Sequence, residues 1–245
     1  MIYVCIPARE EAETIGLVLW KIRRVFGEFG REYQLLVADD ASQDNTAEIL
    51  RPYTNVLPLT VERTAEPLGY GRTVESLARM ALERTDRPKR DCAILMHADF
   101  THGPEFLPDM IRRIDSGADL VVAETGEVQG QPSRTIRAVR RWAPLLVKRS
   151  VRVPGVRDLV SGFLAVRLSC LRLAFRESQQ LLTTDGWAAN VELIARLARQ
   201  ARRIETVSVT ERHDRGLQAG SVQPLRVVRE LLRARPALRA MASAS

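Results

Sequence analysis

The chain has 245 residues, of which 45% are hydrophobic and 27% charged, with three cysteines that lie far apart. This is ordinary globular composition, which excludes disorder throughout the chain, and the cysteine number argues against a disulfide framework or a cysteine-based zinc site and fits a reducing cytosol. No apolar run approaches the roughly 18 residues of a membrane span, and no basic region precedes an apolar stretch at the N-terminus, so we expect neither a transmembrane helix nor a signal peptide.

The net charge of +7 is unevenly distributed along the chain. Residues 1–133 carry 15 basic and 22 acidic side chains, whereas residues 134–176 carry 11 basic and one acidic. Residues 196–245 carry 11 basic and four acidic side chains. The two basic blocks favour an anionic partner, such as a phosphate, a nucleic acid or a membrane surface, although an arginine face in contact with water would have the same composition.

The first half of the chain alternates predicted strands and helices. Short apolar runs predict strands over Ile2–Pro7, Gln34–Ala38, Asn55–Val61, Cys92–Met96 and Asp119–Glu124. Helical spacing predicts helices over Glu11–Phe26, from Thr46 with Asp44 as N-cap, from Gly69 to Arg84, and over Glu105–Ser116. This order predicts an α/β fold with a mostly parallel sheet and helices on both faces.

The pattern changes after Gly126. We predict loops over Gly126–Ser133, Arg157–Gly162 and Arg212–Ser221. Helices are predicted over Arg134–Val151, which is basic and amphipathic, and over Gly186–Gln200 and Leu225–Arg235. Phe163–Val166 is an apolar segment, and Arg203–Val209 is predicted to be a strand. There is no internal repeat, so we expect a single domain over residues 1–245.

Polar motifs follow two of the predicted strands, Asp39-Asp40 after the second and His97-Ala98-Asp99 after the fourth. Ligands of open α/β sheets bind outside such strand ends. Two adjacent carboxylates repel each other unless each meets a hydrogen-bond donor or a cation, and a nucleobase or ribose would supply such donors. Alternatively, the segment is only a helix-capping loop. The alternation of side chains along a strand would place His97 and Asp99 on one face, where they would bind Mg²⁺ or Mn²⁺. Alternatively, both residues form only ordinary structural hydrogen bonds.

Several motifs, taken in order, resemble those of family 2 glycosyltransferases. The runs Ile6–Glu11 and Val37–Thr46 resemble the nucleotide-binding half of that family. The segments that are similar, more narrowly, to the dolichol-phosphate mannose synthase branch are Leu68–Gly71, Met96–Pro108, Pro154–Phe163 and Gly186–Leu193. The resemblance implies a GT-A fold and an inverting transfer from a nucleotide sugar. Residues 1–125 would be the nucleotide-sugar-binding half and 126–235 the acceptor half, with a tail over 236–245.

The resemblance also implies site residues. Those that would bind the nucleotide sugar are Pro7, Ala8, Arg9, Glu11, Asp39, Asp40, Gly69, His97, Ala98 and Asp99. Those that would bind Mg²⁺ or Mn²⁺ are Asp99, His97 and Thr101. Those that would bind the acceptor or its phosphate are Arg134, Arg137, Ser161, Gly162, Arg212 and Arg215. The candidate catalytic residues are Asp99, Asp158 and Asp185.

Two departures from the family pattern concern the metal and the acceptor. His97 stands where the family usually has aspartate, so metal affinity should weaken as the pH falls and the imidazole is protonated. The branch closes its site with an Arg-x-x-Gly-x-Ser-Lys loop, whereas Glu211–Ser221 has an arginine, a glycine and a serine at shifted spacing and no lysine.

The acceptor decides which side chains the reaction needs. A polyprenyl phosphate is already an anion and needs cations, which the Arg134–Arg149 segment would supply, whereas a hydroxyl needs a general base. Asp185 is a candidate base, although we favour its assignment as the N-cap of the helix that begins at Gly186.

We therefore expect a cytoplasmic, metal-dependent enzyme that moves a hexose from a GDP- or UDP-sugar to a polyprenyl phosphate, with no nucleic-acid partner. The amphipathic Arg134–Arg149 segment would hold it on the anionic inner face of a membrane. One alternative is a soluble family 2 glycosyltransferase of natural-product or polysaccharide biosynthesis with a hydroxyl acceptor. Another is a non-catalytic protein that binds a sugar nucleotide or a membrane partner.

Overall fold

A computed structural model of the chain describes residues 1–130, 151–178 and 180–213. Its centre is a seven-stranded sheet. The strands are β1 (Ile2–Ala8), β2 (Tyr33–Asp39), β3 (Leu59–Arg63), β4 (Cys92–Leu95), β5 (Leu120–Gly130), β6 (Leu164–Arg167) and β7 (Ile204–His213). They lie in the order β3-β2-β1-β4-β6-β5-β7. β6 is antiparallel to both of its neighbours and the other pairs are parallel, which confirms the mostly parallel sheet.

Helices cover both faces of this sheet. They are α1 (Ile15–Phe29), α2 (Thr46–Tyr53), α3 (Tyr70–Arg84), α4 (Leu107–Asp115), α5 (Leu168–Glu177) and α6 (Trp187–Gln200), with a 3-10 turn at Pro104–Phe106. Alternate residues of β1 enter two separate cores. Tyr3 and Cys5 pack with α3, α5 and α6, whereas Val4 and Ile6 pack with α1 and α4. Burial on both faces explains why the parallel strands have continuous apolar sequences.

The sequence-based boundaries need correction around α1 and α2. α1 begins at Ile15 rather than Glu11, because the amide of Glu11 donates to Thr46 Oγ1 and that of Ala12 to Asp44 Oδ2. The N-cap of α2 is Asn45, although Asp44 Oδ1 does accept the Thr46 amide. β3 begins at Leu59 rather than Asn55, because α2 continues to Tyr53.

The second half differs more. β5 continues to Gly130, where a loop was predicted from Gly126, because it pairs in parallel with β7 along its whole length. β7 itself continues to His213, beyond the predicted end at Val209. α5 follows β6 without a break and was not predicted. The predicted helix over Leu225–Arg235 lies outside the described residues, as does that over Arg134–Val151 except for its last residue.

Candidate functional site

The predicted motifs meet at the edge of the sheet where β1, β2 and β4 end. β1 lies between the other two strands, and its last residue, Ala8, is in register with Asp39. The Asp40 amide donates to Ala8 O, and the Met96 amide donates to Cys5 O. Because β4 ends at Leu95, the segment His97–Asp99 lies beyond the strand, and the alternation argument for a shared face does not apply to it.

Asp39 and Asp40 are almost fully buried, and each is met by donors from the protein itself. Asp40 accepts the backbone amides of Leu68 at 2.6 Å and Gly69 at 3.1 Å, and the Arg9 guanidinium lies 3.8 Å away. Asp39 accepts the Ser42 amide at 3.0 Å and faces Arg63 Nε at 3.3 Å. These contacts fix the loops around the strand ends. A nucleoside contact by either carboxylate stays a prediction.

Glu11 lies at the start of the segment that follows β1, and its carboxyl group accepts a 2.7 Å hydrogen bond from Thr14 Oγ1. The pKa of Glu11 is raised to about 7, chiefly by burial and to a lesser extent by the charges of Asp99 and Asp44, while the Thr14 hydrogen bond acts in the opposite direction. Glu11 and Asp99 are therefore close enough for their charges to interact, and a cation bound beside them would favour the ionised form of Glu11.

Asp99 lies in a tight turn after β4. Its Oδ1 accepts the Thr101 amide at 2.9 Å, and Phe100 between them adopts the left-handed conformation with φ 61°. Within residues 1–130, 151–178 and 180–213, no three His, Cys, Asp or Glu side chains form a metal cluster. His97 and Asp99 supply one imidazole and one carboxylate, ligand types that suit Mg²⁺ or Mn²⁺ where diphosphate oxygens and water complete the shell, and a metal bound by both stays a prediction.

The imidazole of His97 is held between two elements. Its Nε2 lies 3.1 Å from Ser161 O, and its ring stacks on Tyr70 with centroids 5.6 Å apart. A carbonyl oxygen only accepts hydrogen bonds, so this contact places the proton on Nε2. Nδ1 of the neutral ring then carries the lone pair that a metal requires.

The loop that contains Ser161 is tied to the same place by several hydrogen bonds. Asp158 Oδ1 accepts the amides of Val160 at 2.9 Å and Ser161 at 3.1 Å. Asn190 on α6 donates through Nδ2 to Val160 O and accepts the Tyr70 hydroxyl at 2.7 Å. These contacts of Asp158 organise the loop, and a catalytic role for it stays a prediction.

Asp185 caps a different helix from the one that we favoured. Gly186 precedes α6 without any side-chain cap, whereas Asp185 Oδ1 accepts the Gly71 amide in the first turn of α3 at 2.8 Å. The assignment as N-cap of the following helix is therefore wrong. Asp185 is nevertheless exposed, beside the Leu68–Gly69 loop that Asp40 holds.

Two buried glutamates hold the segment before Asp185, a role that the sequence analysis missed. Glu192 is fully buried and accepts hydrogen bonds from the amides and hydroxyls of Thr183 and Thr184. Glu75 on α3 accepts the Leu182 amide at 3.0 Å. The signal was available in the sequence, because both acids stand among apolar residues on the inner faces of their helices.

The end of β7 lies next to the Asp99 turn. The Arg212 amide donates to Thr101 O, and the guanidinium lies 2.7 Å from Glu105 Oε1 and 5.9 Å from the Phe100 ring. Arg212 is therefore close to the predicted metal ligands but already paired with an acid, and its phosphate contact stays a prediction. Arg134, Arg137 and Arg215 lie outside the described residues.

The family model for glycosyl transferase family 2 matches residues 3–172. The chain belongs to that family. This confirms the resemblance recognised in the motifs. A dolichol-phosphate mannosyltransferase of Pyrococcus furiosus is 28% identical over 171 residues, which are 67% of this chain and 45% of the relative. An undecaprenyl-phosphate 4-deoxy-4-formamido-L-arabinose transferase of Pseudomonas aeruginosa is 26% identical over 152 residues, 62% of this chain and 42% of the relative. This family 2 chain thus spans less than half the length of either relative.

Solved structures agree on the fold of this glycosyl transferase domain. Glucosyl-3-phosphoglycerate synthase of Mycobacterium tuberculosis, in complex with Mn²⁺, UDP and glucosyl-3-phosphoglycerate, matches with a TM-score of 0.62 at 20% identity, over 97% of this chain and 78% of that one. S. aureus TarS 1-349 in complex with UDP-GlcNAc matches with a TM-score of 0.60 at 17% identity, over 97% and 66%. The predicted GT-A fold is confirmed. None of the helices that the structure describes is both long and apolar enough to cross a bilayer.

Proposed function

We propose that this protein transfers a hexose from a nucleotide-diphospho-sugar to a polyprenyl phosphate, with the donor bound at the edge where β1, β2 and β4 end. The observation that carries the proposal is the contact between His97 Nε2 and Ser161 O. It joins the motif expected to bind the donor diphosphate to the loop expected to bind the acceptor. Donor and acceptor bound on either side of this contact would lie next to each other, as group transfer requires.

The donor side is built from loops that the protein pre-orders. Asp40 holds the Leu68–Gly69 segment through two amides, and Asp39 with Arg63 fixes the turn after β2. A nucleoside would enter a cleft whose walls need little rearrangement, which reduces the entropic cost of binding. The two structural neighbours were solved with UDP or UDP-GlcNAc, which supports a UDP-sugar as the first donor to test and leaves GDP-sugars as the second.

His97 and Asp99 would hold a Mg²⁺ or Mn²⁺ ion against the diphosphate. When bound, the ion supplies positive charge that balances the charge developing on the leaving group. Burial is the main reason for the raised pKa of Glu11, but the charge of Asp99 also contributes, so a cation bound at Asp99 should lower that pKa. One structural neighbour contains Mn²⁺ together with UDP, which supports the same choice of metal.

The acceptor assignment rests on chemistry and on the relatives. A phosphate acceptor attacks as an anion and needs no base, and both curated relatives are named for transfer to a polyprenyl phosphate. Arg157 is an exposed cation in the loop before Ser161, which makes it a candidate to bind such a phosphate. With Arg134 and Arg137 it would bring the protein to the inner face of an anionic membrane as a peripheral, cytoplasmic enzyme.

A hydroxyl acceptor is the second candidate, and Asp185 is the observation that favours it. One oxygen of this exposed carboxylate accepts the Gly71 amide, and the other lies beside Gly69 at the donor loop. A carboxylate in this place would remove the proton of an attacking hydroxyl.

The variant Asp185→Asn separates the two acceptors. Asparagine keeps an oxygen for the Gly71 amide but is no base, so transfer to a polyprenyl phosphate should persist, whereas transfer to a hydroxyl should fall by at least about 100-fold. The assay supplies radiolabelled UDP- and GDP-sugars with Mn²⁺, and offers undecaprenyl phosphate in detergent and a panel of soluble sugars as acceptors. Labelled lipid formed by both wild type and Asp185→Asn supports the proposal. Labelled soluble product alone, lost in the variant, replaces it with the second candidate.

A further inference from the structure

A cleft of about 520 Å³ opens beside the end of the strands that is opposite to Asp99. Its lining includes Lys89 before β4, Arg167 at the end of β6, Arg172 and Arg176 on α5, and Arg202 before β7. Arg167 is in register with Cys92, the first residue of β4, whereas the Asp99 turn follows the last. The cleft is therefore separated from the donor site by the length of a strand.

Two residues of the lining, Arg167 and Asp119, form an ion pair whose charges cancel. Arg167 Nε donates to Asp119 Oδ1 at 3.2 Å, and its other two nitrogens donate to the carbonyl oxygens of Lys89, Ile114 and Ala118. Asp119 Oδ2 accepts the Arg202 amide at 3.0 Å. Among the described residues that line the cleft, Asp119 is the one acid, and its charge is already balanced by Arg167.

Four further basic side chains of the lining are not paired with an acid in this way. The side chains of Lys89, Arg172, Arg176 and Arg202 have no hydrogen-bond or ion-pair partner among the residues that the structure describes. Arg172 and Arg176 are four residues apart on α5, where like charges repel. The neighbouring acid, Glu177, accepts a hydrogen bond from Gln200. A concave surface that gathers unbalanced positive charge concentrates anions.

We propose that this cleft binds a ligand that carries a diphosphate or two closely spaced phosphates. Four cations exceed what a single carboxylate would balance, and the guanidinium fork of arginine matches phosphate oxygens in bidentate pairs. Leu173, an exposed apolar residue of the lining, and Pro88 offer an apolar wall to the remainder of the ligand. The site is distinct from the donor site and does not depend on the proposed transfer reaction.

Inorganic pyrophosphate in EDTA is the probe, because without metal the donor site lacks its main diphosphate contact. Calorimetric titration should show binding to the wild type that weakens as salt is raised. The double variant Arg172→Gln/Arg176→Gln should lose at least tenfold in affinity. The control Arg51→Gln removes an exposed arginine of α2, outside the cleft, and should bind as the wild type does. Affinity for UDP with Mn²⁺ should be unchanged in all variants, which shows that the donor site is intact.

Vesicles of cardiolipin, a lipid whose headgroup carries two phosphates, distinguish two sources of such a ligand. If the wild type binds pyrophosphate and co-sediments with the vesicles, and the double variant does not co-sediment, the site is supported and its ligand is a lipid headgroup. Pyrophosphate binding without vesicle binding supports it with a soluble phosphate ester. The proposal is overturned if the wild type does not bind pyrophosphate, or if the double variant binds it with the affinity of Arg51→Gln.

Discussion

Gly162 lies so close to His97 that a Cβ atom on the glycine would come within 2.6 Å of the imidazole Nε2. The same atom would lie 2.6 Å from Asn190 Nδ2, and the backbone at Gly162 has φ 68°. The close approach of the acceptor loop to the predicted metal ligand thus depends on the absence of a side chain. A residue expected from the family resemblance to shape the acceptor end is also what lets His97 reach Ser161 O.

Gly162→Ala should therefore displace His97 and reduce transfer by at least about tenfold. A methyl group at 2.6 Å forces the imidazole or the loop to move, which breaks the contact with Ser161 O. Steady-state transfer assays and Mn²⁺ titration would measure both consequences.

Gly155→Ala is the matched control for this prediction. Gly155 also has a positive φ, of 79°, but nothing lies within 4 Å of the added Cβ. It should thus carry the same kind of backbone strain without the steric contact, and keep most of the activity. Equal losses of transfer in the two variants would show that backbone strain, and not the approach to His97, is the cause.

The metal assignment predicts different outcomes at the two candidate ligands. Asp99→Asn should abolish transfer, because it removes the one carboxylate of the motif while keeping an oxygen for the Thr101 amide. His97→Ala should be less damaging. His97→Asp should retain transfer and bind Mn²⁺ more tightly, and its advantage should grow as the pH falls, because protonation removes the lone pair of an imidazole at a higher pH than it removes the charge of a carboxylate.

Electron paramagnetic resonance of free Mn²⁺, with transfer assays between pH 5.5 and 8, would measure these effects. Full turnover by Asp99→Asn in EDTA would rule out the metal-dependent mechanism.

The local parts of this fold were predictable from sequence, and the contacts between distant segments were not. The strands β1, β2 and β4 each contain a continuous apolar run of at least four residues, so their positions and the motifs that follow them could be predicted from the sequence. Asp185 caps a helix that begins more than 100 residues earlier, and no local pattern encodes that partner. β5 was shortened in the prediction because Glu127–Gly130 is exposed and polar, and is a strand only because β7 pairs with it.

Asp40 should prove to be a residue that organises a loop. Asp40→Ala leaves the partly buried amides of Leu68 and Gly69 without their protein acceptor, which should lower the free energy of unfolding by about 1–3 kcal/mol. If Asp40 also contacts the nucleoside, UDP or GDP affinity should fall by about 1–3 kcal/mol in protein that is still folded. Denaturant titration and calorimetry would measure the two effects.

Thr64→Val is the comparison, because the hydroxyl of Thr64 lies 3.5 Å from Asp40 Oδ1, a weak contact, and its removal should change stability little. Unchanged nucleotide affinity in a destabilised Asp40→Ala protein would assign Asp40 to the scaffold alone.

Glu11 should make the metal-free protein less stable as the pH rises. Its pKa is raised from 4.5 to about 7 in the folded state, so the folded protein holds this proton more tightly than the unfolded chain does. Stability therefore falls between about pH 4.5 and pH 7, and the loss is complete above pH 7. Glu11→Gln removes the titrating group and keeps an oxygen for Thr14, so at pH 8 it should be more stable than the wild type, by on the order of 2 kcal/mol, and at pH 4.5 nearly equal to it.

Thermal unfolding in EDTA across this pH range measures the difference, with Glu13→Gln, an exposed neighbour, as the control that should follow the wild type. Parallel stability curves for wild type and Glu11→Gln would contradict the raised pKa of Glu11 in the folded protein.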